Sequence, residues 1–468
     1  MRWLVSTSLA VSVVSVLFLA CGSEAGPSSL FDDGEERRAD PVPSPGTFPP
    51  AQGAPCEGLA CKQVDCGGGV TTTLTGTVTA PNGTLPLYNA IVFVPNAPLE
   101  PLADGASCDR CGAVSGDPLV SAVTDVNGKF ELKNVPVGDD IPLVVQIGKW
   151  RRKIDLPRVE RCVENPLTTA LTRLPKNKAE GDIPRIAVTT GRCDQLACLL
   201  PKLGLDDAEF TPSSGNGRLH LYRGAAHPLS APVPAPAPTG TLDGSALLTS
   251  AALPKYDMVM LSCECGEHNE TKPPETKQAL YDFTAIGGRV FASHFHYTWA
   301  QSGPLATAAQ WMGSPANPEN PPGPYLVDMT FPKGDALARW LVGVGASTTL
   351  GHMPIAQPRE NVGAVVSPAQ SWVYRDRPDP SIPRSTKYLS VNSPVAKPVD
   401  QQCGKFVFAD MHLYGGDVQP PATALPDDGF PTTCSKELTP EEKALAFLFF
   451  DLASCVQDDS KPPAAPVR

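Results

Sequence analysis

A change of hydrophobic rhythm near residue 181 constrains this chain more than any other feature. Before it, short period-2 runs are separated by turn residues. Leu74-Thr75-Gly76-Thr77-Val78 alternates, and Asn82-Gly83 supplies a turn. Ala90-Ile91-Val92-Phe93-Val94 is a strand that stops at Pro95. Ser121-Ala122-Val123-Thr124 enters the hairpin signal Asp125-Val126-Asn127-Gly128, and Lys129-Phe130-Glu131-Leu132 returns. Val135-Pro136-Val137-Gly138 turns again into Pro142-Leu143-Val144-Val145-Gln146-Ile147. Short strands at this spacing predict a β-sandwich over 71–180.

After residue 181, buried-type strands alternate with helical patterns. Strands are predicted at Ile183–Thr189, Tyr256–Ser262, Arg289–Ser293 and Lys405–Ala409, and helices over 194–205, 274–286 and 335–344. The closing helix opens on Thr439-Pro440-Glu441-Glu442, with Thr as cap, Pro at N1 and Glu442 completing a capping box. Leu445, Leu448, Leu452 and Cys455 form its core-facing stripe. This grammar predicts a three-layer α/β domain with a largely parallel sheet over 181–456. The expected fold class is therefore multidomain, a β-sandwich of transthyretin or immunoglobulin type followed by α/β, with a disordered tail at 457–468.

The chain has 468 residues, 41% of them hydrophobic, which is enough for real cores. A net charge of -11 leaves no basic surface for nucleic acid. The one cationic cluster, Trp150-Arg151-Arg152-Lys153, is expected where a strand ends.

The first 21 residues read as an export signal. Arg2 precedes an uncharged stretch from Trp3 to Ala20, too short for a confident spanning helix. The junction Leu17-Phe18-Leu19-Ala20-Cys21 resembles the lipobox of bacterial lipoproteins, although Phe18 and Leu19 stand where a Leu and a smaller residue are commoner. That resemblance implies lipidation of Cys21, anchorage in the cell envelope and a membrane as partner. An ordinary secretory signal is the alternative, with Cys21 as one more disulfide cysteine. Residues 22–55, rich in Pro, Ser and acidic side chains, cannot offset their ordering entropy and read as a flexible tether.

Fourteen cysteines suit an exported chain. Cys56, Cys61 and Cys66 lie in a Cys-rich segment, 56–70. Cys108 and Cys111 form a C-x-x-C, read as a small disulfide-pinned loop because no second pair at zinc spacing accompanies it. Cys162, Cys193, Cys198, Cys403, Cys434 and Cys455 are further disulfide candidates. With Cys21 lipidated, thirteen remain, an odd number, and Cys263 or Cys265 is where the unpaired thiol is expected.

The run Thr124-Asp125-x-Asn127-Gly128-x-Phe130-x-Leu132, then Val135-Pro136-x-Gly138, resembles the carboxypeptidase regulatory-like domain over roughly residues 70–155. The residues between Val94 and Val120 look like an insertion in it. The resemblance implies a transthyretin-like, carbohydrate-binding-like fold, and a spacer or binding module rather than a peptidase.

In parallel α/β sheets, ligands bind beyond the carboxyl ends of the strands. Four of seven histidines fall at or just beyond such ends, in Cys263-Glu264-Cys265-Gly266-Glu267-His268, Ser293-His294-Phe295-His296 and Asp410-Met411-His412. Residues 182–456 are similar, at the level of fold, to the class I glutamine-amidotransferase-like superfamily and its trehalose-utilisation branch. That family has a Cys where Ser293 stands here, and its late His-x-Glu would fall at His412-Leu413-Tyr414, without the Glu. A Ser293–His412–Asp410 triad can be drawn, but Phe291-Ala292-Ser293-His294-Phe295 lacks the glycines of a sharp elbow.

Alternatively His294, His296, His412 and Asp410 could ligate a divalent metal, since residues two apart share a strand face. The competing reading is a rim of hydrogen-bonded histidines with no ligand, and no other cofactor is expected. The full arrangement resembles a group of uncharacterised bacterial lipoproteins. Some of those carry a tryptophan synthase alpha-chain label, but the eight regular repeats of a (β/α)₈ barrel are absent here. The expectation is a lipid-anchored envelope protein acting as a non-enzymatic binding or scaffold module, with a glycan or an envelope protein as partner. The alternative is a hydrolase or metal-dependent enzyme at the strand ends.

Overall fold

The hairpin at Asp125 shows how local chemistry sets the first half of the fold. Asp125 Oδ1 accepts from the Asn127 and Lys129 amides at 2.8 and 2.9 Å, and Gly128 takes a left-handed φ of 72°. A Cβ on Gly128 would lie 2.6 Å from the Val78 carbonyl oxygen, so no other residue fits. Thr124 Oγ1 donates to the Leu87 carbonyl and accepts from the Ala90 amide, tying the hairpin to the preceding loop.

The molecule is a computed structural model that describes residues 56–111, 114–191, 193–194, 196–225, 240–313, 321–412, 434 and 437–465. The signal segment 1–21 with Cys21, and the tether 22–55, lie outside the described residues.

The sandwich strands are β1 (Thr73–Thr77), β2 (Ile91–Pro95), β3 (Pro118–Val123), β4 (Lys129–Lys133), β5 (Ile141–Ile147), β6 (Trp150–Leu156) and β7 (Glu164–Pro166). They form a three-stranded sheet, β4-β1-β7, and a four-stranded sheet, β3-β2-β5-β6. Leu74, Phe130 and Leu132 of the first sheet share one buried core with Val92, Val94, Leu143 and Val145 of the second. The opposite face of β2 and β5 is covered as well. Ile91, Phe93 and Val144 pack against Leu99 and Val114, which belong to the long connection from β2 to β3. The cluster at Trp150 lies inside β6 instead of ending a strand. Arg151 is buried and paired with Asp182, and Arg152 donates to the carbonyls of Ala170 and Arg173. Burying guanidinium groups demands such partners.

The second half is built on a ten-stranded sheet. Its strands are β8 (Ile186–Thr190), β9 (Phe210–Thr211), β10 (Leu219–Arg223), β11 (Leu242–Asp243), β12 (Met258–Leu261) and β13 (Arg289–Ser293). Then follow β14 (Leu326–Val327), β15 (Gln370–Asp376), β16 (Arg384–Ser393) and β17 (Gly404–Ala409). The order is β11-β10-β8-β12-β13-β17-β16-β15-β14, with β9 beside β10. From β11 to β17 every pairing is parallel, while β16, β15 and β14 add an antiparallel flank. The sheet is therefore mixed, and the expectation of a largely parallel sheet holds only for its first part.

Helices cover both faces. On one lie α1 (Leu196–Lys202), α3 (Pro332–Gly343) and α4 (Pro440–Ala453), against Val188, Met260, Phe291 and Val407. On the other lies α2 (Pro274–Ala285), whose Leu280 and Phe283 meet Val259, Val290 and Phe408. The capping box of α4 forms as its residues predict, with the Glu442 amide donating to Thr439 Oγ1 at 3.2 Å and the Thr439 amide to Glu442 Oε2 at 2.8 Å. This helix is apolar nearly all round because the sandwich covers its other side. Tyr88 stacks on Phe447, and Trp150 packs edge-on against Phe449 and Phe450.

Six disulfides join twelve of the thirteen described cysteines: Cys56–Cys61, Cys66–Cys162, Cys108–Cys403, Cys111–Cys455, Cys193–Cys265 and Cys198–Cys434. The C-x-x-C does not close its own loop. Its two thiols reach instead to Cys403 and Cys455, clamping the β2–β3 connection onto the second half. Asp459, expected in a disordered tail, is half-buried and held between Lys333 and Lys405. Among the described residues no helix is long and apolar enough to cross a membrane.

Candidate functional site

The parallel strands β8, β12, β13 and β17 end side by side, and their exits carry the polar residues. Gly191 follows β8 and lies against the backbone after β12. A Cβ there would sit 2.3 Å from the Cys263 carbonyl oxygen, so only glycine allows the approach. Cys193 then donates its amide to that same carbonyl at 3.1 Å. The Asp194 carboxylate accepts from the Cys263 amide at 3.0 Å and from Ser293 Oγ.

The strand β13 stops at Ser293. His294 adopts a left-handed φ of 37°, and His294–Trp299 continues as a 3₁₀ turn. A left-handed non-glycine residue is a strained conformation that neighbouring structure must hold in place. Cys265 and His268, beyond β12, share this feature with φ values of 63° and 43°.

The turn separates the two histidines that a longer strand would have kept on one face. His296 is fully buried, accepting at Nδ1 from Trp299 Nε1 at 3.0 Å, so its Nε2 carries the proton and donates to the Ser262 carbonyl at 2.8 Å. Both ring nitrogens are engaged, and burial lowers its pKa to about 4. It has the character of a structural histidine.

His294 goes the other way. Its Nδ1 lies 2.7 Å from His412 Nε2 and 3.4 Å from Cys263 Sγ, and Cys263 Sγ is 3.5 Å from His412 Nε2. The other nitrogen of His412, Nδ1, faces the Arg359 guanidinium at 3.0 Å and Gln357 Oε1 at 3.3 Å. Burial is the main cause that drives His412 down to about 3 and His294 well below its ordinary value, with repulsion from Arg359 adding to both. Burial, reinforced by the Asp194 charge, pushes the Cys263 thiol far up. Without a ligand, this is a protonated thiol beside two neutral imidazoles.

Ser293, His412 and Asp410 do not make a relay. Ser293 Oγ donates to Asp194, whereas Asp410 Oδ2 accepts from the amides of Asn361 and Val362 at 2.8 and 3.3 Å, with Lys387 Nζ 3.8 Å away. Burial raises Asp410 to about 6. Of the four residues considered as metal ligands, His294 and His412 come together, while His296 and Asp410 serve other partners.

Cys263 is the residue that pattern reading did not place in the site. Among the described residues it is the free cysteine, fully buried, as expected for one of the Cys263/Cys265 pair. The signal available was the odd cysteine count, together with a Cys and two His falling at three neighbouring strand ends. Cys193 Sγ, within the Cys193–Cys265 bridge, also lies within 4.8 Å of the Cys263 and His412 donor atoms.

No family model matches the chain, and no curated protein matches it. Among solved structures it is similar to a type II cohesin–X-dockerin complex from Acetivibrio cellulolyticus, at 20% identity over 31% of this chain and 79% of that one, with a TM-score of 0.15. It is also similar to a 9R-lipoxygenase from Cyanothece PCC8801, at 19% identity over 22% of this chain and 15% of that one, with a TM-score of 0.11. At such scores neither likeness bears on fold or function.

Proposed function

We propose that the protein is an exported, lipid-anchored component of the cell envelope, and that its folded part is a rigid binding or scaffold module, not a catalyst. The observation that carries this reading is the pairing of twelve cysteines into six bridges, a state that persists in oxidising compartments. The absence of a relay at Ser293 and the burial of Cys263, His294 and His412 favour binding over turnover.

A protein partner fits better than a glycan at the sandwich. Sugar recognition favours exposed aromatic faces, yet Phe93, Phe130 and Trp150 are buried and Tyr88 is stacked on Phe447. A cleft of about 220 Å³ at the edge of the β2–β3 connection is lined by charged side chains, among them Asp104, Lys149, Lys178, Asp182 and Arg218. Such a lining suits a polar polypeptide segment.

The test is labelled-palmitate incorporation and fractionation of the full chain and its Cys21→Ala variant in a bacterial host. The expected result is a labelled, membrane-bound wild-type chain and an unlabelled, released variant. A wild-type chain found unlabelled in the cytoplasm with reduced cysteines refutes the proposal.

A further inference from the structure

Three side chains at the ends of β12, β13 and β17 have the composition and placement of a metal centre. We propose that Cys263 Sγ, His294 Nδ1 and His412 Nε2 bind one thiophilic metal ion, and that the ion is monovalent copper. This goes beyond the envelope-module reading and holds whether or not Cys21 is lipidated.

The three donor atoms form a triangle with edges of 2.7, 3.4 and 3.5 Å. A point about 1.9 Å from all three lies in its plane. A trigonal ion with bonds of about 2.0–2.3 Å lies in the plane of its ligands and needs edges of about 3.5–3.7 Å, so the two imidazoles must part by about 0.8 Å from their 2.7 Å contact, whereas the two sulfur edges need to change by only about 0.3 Å. Ordinary packing has no need to bring two imidazoles and a thiol to one point.

Metals take neutral imidazole and thiolate. Binding therefore displaces the Cys263 proton, and the proton that the 2.7 Å contact places between His412 Nε2 and His294 Nδ1 moves to an outer ring nitrogen. Gln357 Oε1 stands 3.3 Å from His412 Nδ1, on the side away from the triangle, where an acceptor fixes a ligating tautomer. In the bound state the proton of His412 sits on Nδ1 and is donated to Gln357, and the Arg359 contact to that nitrogen loosens. The left-handed backbone at His294 turns its ring out of the β13 line and into the triangle, a strained conformation of the kind found at functional sites.

A trigonal set of two histidines and one cysteine is characteristic of copper proteins, and thiolate favours the cuprous state. Charge agrees. The Asp194 carboxylate at the Cys263 amide and the Arg359 guanidinium at His412 offset one another, so a thiolate with a monocation leaves the buried site neutral. A divalent ion would leave a net positive charge buried, which is costly. Cys193 is held in its bridge to Cys265 and is not a ligand in this state.

The test uses the oxidised full chain, under argon with ascorbate, titrated with the cuprous complex of bathocuproine disulfonate. One copper per chain is expected to transfer to the protein, with X-ray absorption showing one sulfur and two imidazole nitrogens. Cys263→Ser and His412→Gln should each abolish transfer, and Gln357→Ala should weaken it about 10–100-fold. Near-ultraviolet circular dichroism and a count of intact disulfides show whether each variant is folded. Absence of transfer to the wild-type chain overturns the proposal, as does copper bound without sulfur in the shell or retained by folded Cys263→Ser. Stoichiometric zinc at the same three ligands, with copper excluded, overturns the copper assignment.

Discussion

Replacing Cys111 and Cys455 together by serine should cost the folded chain about 4 kcal/mol. Serine at both ends avoids leaving a reactive thiol. The bare sequence separation of this bridge is 344, but Cys108–Cys403 already closes most of that loop. With that neighbour in place, the unfolded chain from Cys111 to Cys455 runs through only about 56 residues, and the chain-entropy relation then gives about 4 kcal/mol.

Removing Cys108–Cys403 as well opens a loop of about 120 residues, routed through Cys198–Cys434. This second step should cost about 5 kcal/mol, so the quadruple variant loses about 9. Removing Cys56–Cys61, whose separation is 5, should cost only about 2 kcal/mol. Denaturant unfolding without reductant, followed by tryptophan fluorescence, measures all three. If the two clamp variants lose less than about 1 kcal/mol each, or no more than the Cys56–Cys61 variant, the bridges do not act by constraining the unfolded chain. The folded part is then not a module held rigid by its bridges.

Other perturbations give separate checks. Burial, with the nearby charges of Asp194 and Glu442, raises Glu441 to about 8. The folded state thus keeps a proton that the unfolded state gives up above about pH 4.5, and stability should fall by up to about 1.4 kcal/mol per unit from there to pH 8, then level off. Glu441→Gln should flatten that slope in denaturant titrations across pH, and an unchanged slope would falsify the assignment. Lys333 Nζ, fully buried, lies 2.7 Å from Asp451 and 2.9 Å from Asp459, both half-buried, so Lys333→Met should cost about 3 kcal/mol by leaving these carboxylates without their cation. A melting temperature within a degree of wild type would contradict this. Trp150→Ala, at a fully buried ring against Phe449 and Phe450, should cost about 3–5 kcal/mol in the same unfolding assay. A loss under about 1 kcal/mol would mean that the sandwich does not depend on α4.

The parts of the fold legible from sequence were those set by local chemistry. The Asp125 hairpin, the strands β1 to β5 and the capping box of α4 all depend on residues a few positions apart. β15 and β16 do not show in the pattern: β15 buries only Trp372 and Val373, and in β16 buried Tyr388, Leu389 and Val391 are mixed with buried Ser385, Thr386, Lys387, Ser390 and Ser393, which breaks any period. Lys387 donates to Ser385 Oγ and to the Arg359 carbonyl, Thr386 to the Gly363 carbonyl, and Trp372 to Ser390 Oγ. Read alone, such residues look solvent-facing, and only partners from elsewhere in the chain make their burial affordable. The site was half legible for a similar reason. Period-2 reasoning put His294 and His296 on one face, but it could not foresee that β13 ends at Ser293 and that a 3₁₀ turn sends the rings apart. Nor could spacing show that Cys263, 149 residues from His412, stands beside it.

The long bridges also bear on the order of assembly. A chain delivered amino-terminus first presents Cys108 and Cys111 to an oxidant well before Cys403 and Cys455 arrive, at separations of 295 and 344. Until then the two thiols have each other, three positions apart, as the nearest partner. A transient bridge between them must be opened before the β2–β3 connection can be fastened to the other half of the protein. Maturation should therefore depend on an isomerase as well as an oxidase, and truncation shortly before Cys455 should leave a chain trapped with mispaired sulfurs.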